Sequence, residues 1–309
     1  IPVLDNLHEF DYYGNNCRVP FKIGVRVATN EVPEYNYYSS RLGIRAEDIT
    51  QHYKDKIASH PLAELRMLHF FMNTGVKDTV HFWSELNRMI RIYCALKKEC
   101  PSLDSLNIGG GLPVKSSLNF DYDYKFLIGE IVRTIKEECD AQQVAHPNII
   151  TEYGSYTVGE SGAVLYTVLD EKKQNDKEQW YMINGSFITH LPDAWGLNHK
   201  YILLPLNGWN NTYQQVSLGG LTCDGMDFYN SEANLDQLFL PKMNGEPLHI
   251  GFFHTGAYQE ALGGYGGIQH CLIPSPKHLI VDRQSDGGLT QNLFRKTQKV
   301  DVMLDILGY

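Results

Sequence analysis

One stretch of the sequence decides the fold: Ser105-Leu106-Asn107-Ile108-Gly109-Gly110-Gly111-Leu112-Pro113. Its first four residues form a run typical of a β-strand, and an amphipathic stretch at Tyr124–Cys139 follows the three glycines. Adjacent glycines let backbone N–H groups approach a phosphate, but they fit a tight turn equally well. The triplet has neither the spacing of the dinucleotide fingerprint nor the ending of a P-loop.

The same order of strand and helix repeats on both sides of this stretch. Further strand-like runs lie at Ile1–Leu4, Phe21–Ala28, Leu65–Phe71 and Asn148–Thr151, and further helix-like stretches at Ala46–Ser59 and His81–Lys98. This alternation predicts a parallel sheet with crossover helices. In a β/α barrel the site forms at the carboxyl ends of the strands, where this sequence places polar residues and glycines. These clusters are Asn73-Thr74-Gly75, Gly109-Gly110-Gly111 and Gly154-Ser155.

The strands are too few for a complete barrel. A (β/α)8 barrel needs eight, and the sequence shows four clear units with a fifth candidate strand at Ile1–Leu4. The first domain, residues 1–161, is therefore either not a barrel or the C-terminal half of one. Because Ile1 is not methionine, we expect an upstream part that is missing or removed.

The character of the sequence changes after about Gly162. Short strand-like runs separated by turn residues predict a mostly antiparallel β domain over residues 162–309. The runs lie at Ala163–Leu169, Trp180–Ile183, Tyr201–Pro205, Gln214–Leu218, Leu248–Phe253 and His278–Val281. We expect a charged loop at Lys172–Lys177 and a closing helix at Val300–Leu307.

Composition narrows the classes of partner. The net charge of −9 argues against nucleic acid, since phosphate binding needs clustered Lys and Arg. The six cysteines are scattered and the 12 histidines show no ligand spacing, so we expect reduced thiols in a cytoplasmic protein and no metal site. No apolar run approaches the roughly 18 residues of a membrane span, so no membrane partner is expected.

Three further segments carry candidate chemistry. Glu152 ends a predicted strand, where a carboxylate can hold a pyridine nitrogen protonated or pair with a basic side chain. In Thr222-Cys223-Asp224-Gly225-Met226-Asp227 the thiol can donate a proton and the two acids can bind a cation. A buried cysteine beside a polar turn would give the same pattern. Tyr258, after Gly256-Ala257, can bond a phosphate or lie on a rim.

Together and in this order, these pieces resemble the fold-type III pyridoxal-phosphate (PLP) decarboxylases, the group of ornithine, arginine and diaminopimelate decarboxylases. The likeness spans nearly the whole chain and is greatest to the bacterial biosynthetic arginine decarboxylases. It implies an α/β plus β fold: a TIM-type (β/α)8 barrel, present here as its C-terminal half, followed by a mostly antiparallel β domain, as in alanine racemase. The matching segments are Ser40–Ile44, Leu68–Gly75, Asn107–Pro113, Thr151–Gly154, Leu221–Asp227 and Gly256–Tyr258.

The resemblance also implies roles for the matching residues. The glycine triplet and Tyr258 would hold the PLP phosphate, and Glu152 would pair with the pyridine nitrogen. Cys223 would return a proton after CO2 leaves, and Asp224 would bind the distal cation of the substrate, both in the partner subunit's site of a homodimer or higher oligomer. The other positions expected at the cofactor are Phe71, Thr74 and Ser155, with Asp227 as a second substrate acid.

Three departures from the family pattern stand out. The Schiff-base lysine of the family lies on an early barrel strand that is absent here, and Lys22, on a later strand, does not take its role. Ser155 stands where the family commonly has a phosphate-binding arginine. Phe71 stands where the family has a histidine that stacks on the PLP ring. His69 lies two residues earlier on the same strand face and is the other candidate for this position.

The predicted activity is the conversion of L-arginine to agmatine and CO2, a step of polyamine biosynthesis, with the lysine on an upstream segment or companion chain. Alternatives are a non-catalytic regulatory or binding subunit, a decarboxylase for ornithine, lysine or carboxynorspermidine, and a PLP racemase. A requirement for Mg²⁺ stays open.

Overall fold

The chain folds as two compact units. A computed structural model of the 309-residue chain describes residues 1–29, 41–72, 75–76, 79–262 and 270–309. The first unit comprises Ile1–Pro113 and Tyr122–Tyr156, and the second comprises Val114–Asp121 and Thr157–Tyr309. The predicted assignment of cofactor binding to residues 1–161, and of a dimer-interface site to residues 162–309, stays a prediction.

In the described part of the first unit, five strands form a parallel sheet in which the strands follow their order in the sequence. The strands are β1 (Val3–Leu4), β2 (Phe21–Arg26), β3 (Ala63–His69), β4 (Ser105–Asn107) and β5 (Asn148–Ile150). All five predicted strands are confirmed. Four of them end one or two residues earlier than the sequence indicated, which is the usual uncertainty in the end of an element.

Helices connect these strands and cover the sheet. They are α1 (His8–Asn16), α2 (Ala46–His52), α3 (Thr79–Glu99) and α4 (Tyr124–Ala141). The helix predicted over Ala46–Ser59 continues past α2 as a π-helical turn, Tyr53–Ile57. The α3 helix buries Phe82, Leu86 and Met89 at helical spacing against the sheet. The crossover arrangement predicted for this half is confirmed, and α1 is an addition, with Phe10 as its one buried residue.

The second unit is mostly antiparallel, as predicted. Its strands are β6 (Ala163–Lys173), β7 (Gln179–Ile183), β8 (Ile202–Pro205), β9 (Tyr213–Gln215), β10 (Ser217–Gly219), β11 (Phe228–Tyr229), β12 (Phe239–Pro241), β13 (His249–Phe253), β14 (His278–Arg283) and β15 (Leu289–Arg295). Six of them form one sheet in the order β11-β10-β7-β6-β13-β8, in which the pair β7–β10 is parallel. The remaining pairs, β9–β12 and β14–β15, are antiparallel.

Two predictions for this half were wrong in detail. The single strand expected at Gln214–Leu218 is divided between β9 and β10, since Val216 instead donates its N–H to Leu238 O at 2.9 Å. The charged loop expected at Lys172–Lys177 begins inside β6, where Lys172 pairs with Trp180. Charge alone therefore did not mark the end of this solvent-exposed strand.

Short helices complete the second unit. The helix α5 (Gly154–Val158) spans the boundary at Tyr156, and α6 (Phe187–His190), α7 (Pro192–Leu197), α8 (Gln259–Leu262) and α9 (Val300–Ile306) follow. The predicted closing helix is confirmed as α9. The core packs aromatic rings edge to face, as between Phe187 and Phe252, whose ring centroids lie 5.7 Å apart. Within the described ranges, every helix is too short or too polar to cross a lipid bilayer.

Candidate active site

Polar side chains form a row across the carboxyl end of the first unit's sheet. The register places Arg26 of β2 beside His69 of β3, and His69 beside Asn107 of β4. Asn107 in turn pairs with Ile150 of β5, and Glu152 follows two residues later. Neighbours in register share one face of a parallel sheet, and alternate residues of a strand do too. The row therefore presents a cation, an imidazole, an amide and a carboxylate on one face.

One hydrogen bond fixes the Glu152 carboxylate, and an imidazole lies beside it. Asn107 Nδ2 donates to Glu152 Oε1 at 2.8 Å, and His69 Nε2 lies 3.4 Å from the same oxygen. The Glu152 side chain is nevertheless 50% exposed. A carboxylate that is fixed in direction and still accessible can pair with a protonated group on a ligand.

His69 is the buried member of the row. Only 6% of its surface is exposed, and its ring nitrogens have no hydrogen-bond partner among the described residues. Burial is the main cause that lowers the pKa of His69, the Glu152 carboxylate opposes it and the Arg26 cation adds to it. The imidazole is therefore mostly neutral at pH 7 and available for a contact that the protein does not supply.

The glycine triplet packs against the ends of the neighbouring strands. Gly109 and Gly111 have φ of +70° and +89°. A Cβ on Gly110 would lie 2.6 Å from Glu152 O, and one on Gly111 would lie 2.5 Å from Gly75 Cα. Close backbone packing and the turn both require glycine here. The structure is therefore compatible with a phosphate-binding site and with a tight turn alone.

The triplet also leaves backbone donors available. Gly109 N donates to Asn107 Oδ1 at 2.9 Å. Across the described ranges, nothing accepts a hydrogen bond from the N–H of Gly110 or Gly111. Two adjacent N–H groups without an acceptor form a turn that can bind an anion.

Phe71 lies beyond the end of β3, next to this turn. Its ring carbon Cε2 is 3.7 Å from the position of a Cβ on Gly110, and the Arg26 guanidinium lies 5.8 Å from the ring centroid. The structure therefore separates the two candidates for the stacking position: His69 sits in the strand beside Glu152, and Phe71 sits at the glycine turn. Thr74 lies outside the described residues.

Cys223 lies in a loop of the second unit, between β10 and β11. Asp227 anchors this loop from inside: its carboxylate accepts hydrogen bonds from Phe187 N at 2.8 Å, Thr222 N at 3.2 Å and Thr222 Oγ1 at 2.8 Å. Only 4% of Asp227 is exposed. These contacts give Asp227 a structural role, and its predicted substrate contact stays untested.

The other two candidate residues of this loop, Cys223 and Asp224, are accessible. Asp224 is partly exposed and accepts a hydrogen bond from Met226 N at 2.7 Å. Cys223 is exposed, so the alternative of a buried cysteine was wrong. Its Sγ lies 3.6 Å from Cys271 Sγ, and this hydrogen bond is the main cause that raises the pKa of Cys223. A thiol that keeps its proton is suited to donate one.

The remaining predicted residues lie on separate elements. Ser155 is partly buried in α5, and Tyr258 is exposed, with a φ of +66°, directly before α8. Sequence reasoning missed Arg26, Asn107 and Cys271. An amide near the carboxyl end of a predicted strand was the signal for Asn107. Cys271 is 48 residues from Cys223, and no sequence pattern indicated that the two lie together. The described residues contain no cluster that could hold a metal ion, so nothing supports Mg²⁺.

Residues 2–159 match the family described as pyridoxal-dependent decarboxylase, pyridoxal binding domain. This match covers just over half of the 309-residue chain. The chain belongs to the pyridoxal-dependent decarboxylase family. The resemblance inferred from the sequence motifs is thereby confirmed.

Individual relatives agree with this family at low identity. The biosynthetic arginine decarboxylase of Prochlorococcus marinus strain MIT 9215 is 21% identical, over 88% of this chain and 58% of its own length. A crystal structure of the biosynthetic arginine decarboxylase from Campylobacter jejuni matches with a TM-score of 0.80 at 19% identity, over 99% of this chain and 65% of that one. Diaminopimelate decarboxylase from Helicobacter pylori, complexed with L-lysine, has a TM-score of 0.77 at 17% identity, over 99% and 73%. The chain spans about three fifths of the length of the curated relatives it matches.

Proposed function

We propose that this chain is part of a PLP-dependent decarboxylase for a basic amino acid, with L-arginine converted to agmatine and CO2. The observation that carries the proposal is the Glu152 carboxylate, fixed by Asn107 beside the free N–H groups of Gly110 and Gly111. An acid and an anion-binding turn, side by side, match the two ends of a phosphorylated pyridine. The choice of arginine is supported by the names of the curated relatives.

PLP, when bound, supplies an electron sink for the charge left by decarboxylation. Glu152 would hold the pyridine nitrogen protonated, and the glycine triplet would hold the phosphate, with Thr74, Ser155 and Tyr258 as further donors. Phe71, next to the glycine turn, would pack on the ring face. The neutral His69 has buried nitrogens that such a ligand can satisfy.

Two residues of the second unit would act on the substrate. Asp224 would pair with the guanidinium, whose planar fork suits a bidentate carboxylate contact. Cys223 Sγ would give a proton to the carbon from which CO2 has left. We propose that both act in the partner subunit's site, so that a homodimer is the smallest active assembly.

The parallel sheet would be one part of a (β/α)8 barrel. Its sequential strand order and crossover helices support this proposal. We assign none of the 309 residues as the Schiff-base lysine and propose that it lies on a segment or chain outside them.

The test is release of CO2 from carboxyl-labelled arginine by the natural full-length protein with added PLP. We expect turnover of arginine above that of ornithine, lysine and carboxynorspermidine, and loss of turnover in C223A. Higher turnover of another substrate would correct the specificity. Full CO2 release by C223A would contradict the role of Cys223 as proton donor.

A further inference from the structure

Two exposed thiols meet at the candidate proton donor. Cys223 Sγ and Cys271 Sγ lie 3.6 Å apart, although 48 residues separate them in the sequence. Both cysteines are exposed. The sulfur atoms would need to approach by only about 1.5 Å to reach the length of a disulfide bond.

Each of the two cysteines has an anchored residue close to it in the sequence. The Cys223 loop is held by the buried Asp227 carboxylate. Beyond Cys271, Ser275 and Gln298 exchange two hydrogen bonds, each of 3.0 Å, between Ser275 N and Gln298 Oε1 and between Gln298 N and Ser275 O. Each thiol therefore lies four residues from an anchored position, Asp227 for Cys223 and Ser275 for Cys271.

A second pair of thiols in the same chain provides a contrast. Cys94 Sγ and Cys139 Sγ lie 3.9 Å apart between α3 and α4, but both residues are buried. Burial is the main cause that raises the pKa of Cys94, and it raises the pKa of Cys139 to about 12. Because an oxidant must reach the sulfur atom, burial protects this pair although its sulfur atoms are almost as close, whereas Cys223 and Cys271 are both accessible.

We propose that Cys223 and Cys271 form a reversible disulfide that switches the enzyme off. A low-molecular-weight disulfide such as oxidised glutathione is the oxidant. One protein thiolate attacks it and releases one thiol, and the second thiolate then displaces the other. Two protein thiols lose two protons and two electrons to one disulfide, which leaves as two thiols. The loss of activity rests on the proposed role of Cys223 as proton donor, whereas formation of the bond does not.

The direct test measures the bond itself. The natural full-length protein is incubated with oxidised glutathione, treated with iodoacetamide and digested for mass spectrometry. We expect the Cys223 and Cys271 peptides to be joined, two hydrogens lighter than their sum, and to separate with dithiothreitol. The Cys94 and Cys139 peptides should stay unlinked. Carbamidomethyl groups or glutathione on both Cys223 and Cys271, without a link, would overturn the proposal.

Activity separates this inference from the proposed function. The wild type and the matched control C139S should lose CO2 release in proportion to the linked fraction and recover it with dithiothreitol. C271S should form no link, and because its Cys223 then has no neighbouring thiol to displace glutathione, any loss of CO2 release in this variant should match the fraction of Cys223 that carries glutathione. Linkage with undiminished CO2 release would refute the proton-donor role and the switch together. If the Cys223 and Cys271 peptides stay unlinked while C223A still abolishes CO2 release, the proposed disulfide is refuted and the proposed role of Cys223 as proton donor stands.

Discussion

At the scale of single residues, Glu152 has the most sharply defined task. Its carboxylate is fixed by the Asn107 amide and borders the buried, neutral His69. Replacement by glutamine keeps the size and removes the charge that would hold a pyridine nitrogen protonated. We expect E152Q to lower kcat for CO2 release by about 10²-fold or more, since the loss falls on the chemical step.

The matched control for this variant is E160Q, which changes another exposed glutamate nearby in the sequence. It should leave kcat unchanged. If E152Q kept kcat within about twofold of the wild type, Glu152 would not be the partner of the cofactor's ring nitrogen. A PLP absorbance retained in E152Q would show that the loss concerns chemistry and not binding.

At the scale of elements, the glycine turn after β4 determines how closely the strand ends approach. Gly111 has a φ of +89°, and its Cβ would lie 2.5 Å from Gly75 Cα. We expect G111A to lower the free energy of unfolding by about 1–3 kcal/mol. Alanine is strained in the left-handed backbone conformation of this position, and its Cβ clashes with Gly75.

Gly129 provides the comparison for G111A. It lies inside α4, and nothing is within 4 Å of its Cβ position. G129A should raise the free energy of unfolding by about 0.5–1 kcal/mol, as expected for alanine in an open helical position. Urea unfolding of both variants checks this pair. A G111A protein as stable as the wild type would mean that the turn relaxes without cost.

These elements also show what the sequence can predict. Buried strands such as β3 and long amphipathic helices such as α3 were predicted, because the residues that they bury are apolar and form a recognisable pattern in the sequence. The strand β15 was missed, since all seven of its residues are exposed and burial therefore imposes no apolar pattern on them. Glu152 and the glycine triplet were found from their positions after strands, whereas the approach of Cys271 to Cys223 depends on tertiary structure alone.

At the scale of the whole molecule, buried histidines in both units link stability to pH. His69 in the first unit and His190 in the second are only 6% and 3% exposed. Burial is the main cause that lowers both pKa values, against Glu152 beside His69 and against Glu260 and Asp227 near His190, while Arg26 and His278 add to the lowering. Both rings are therefore neutral in the folded protein near pH 7.

The sign of the effect follows from proton binding. Near pH 6.5, the ordinary value for histidine, the unfolded chain takes up protons that the folded chain refuses. Stability from these groups is thus complete above that pH and is lost as the pH falls below it, by up to about 1.4 kcal/mol per pH unit for each histidine. We expect urea unfolding to show a lower free energy of unfolding at pH 5.5 than at pH 7.5. We expect H190L to reduce this difference, because leucine does not bind a proton. A free energy of unfolding that is constant or higher at pH 5.5 would contradict the neutral, buried state of both rings.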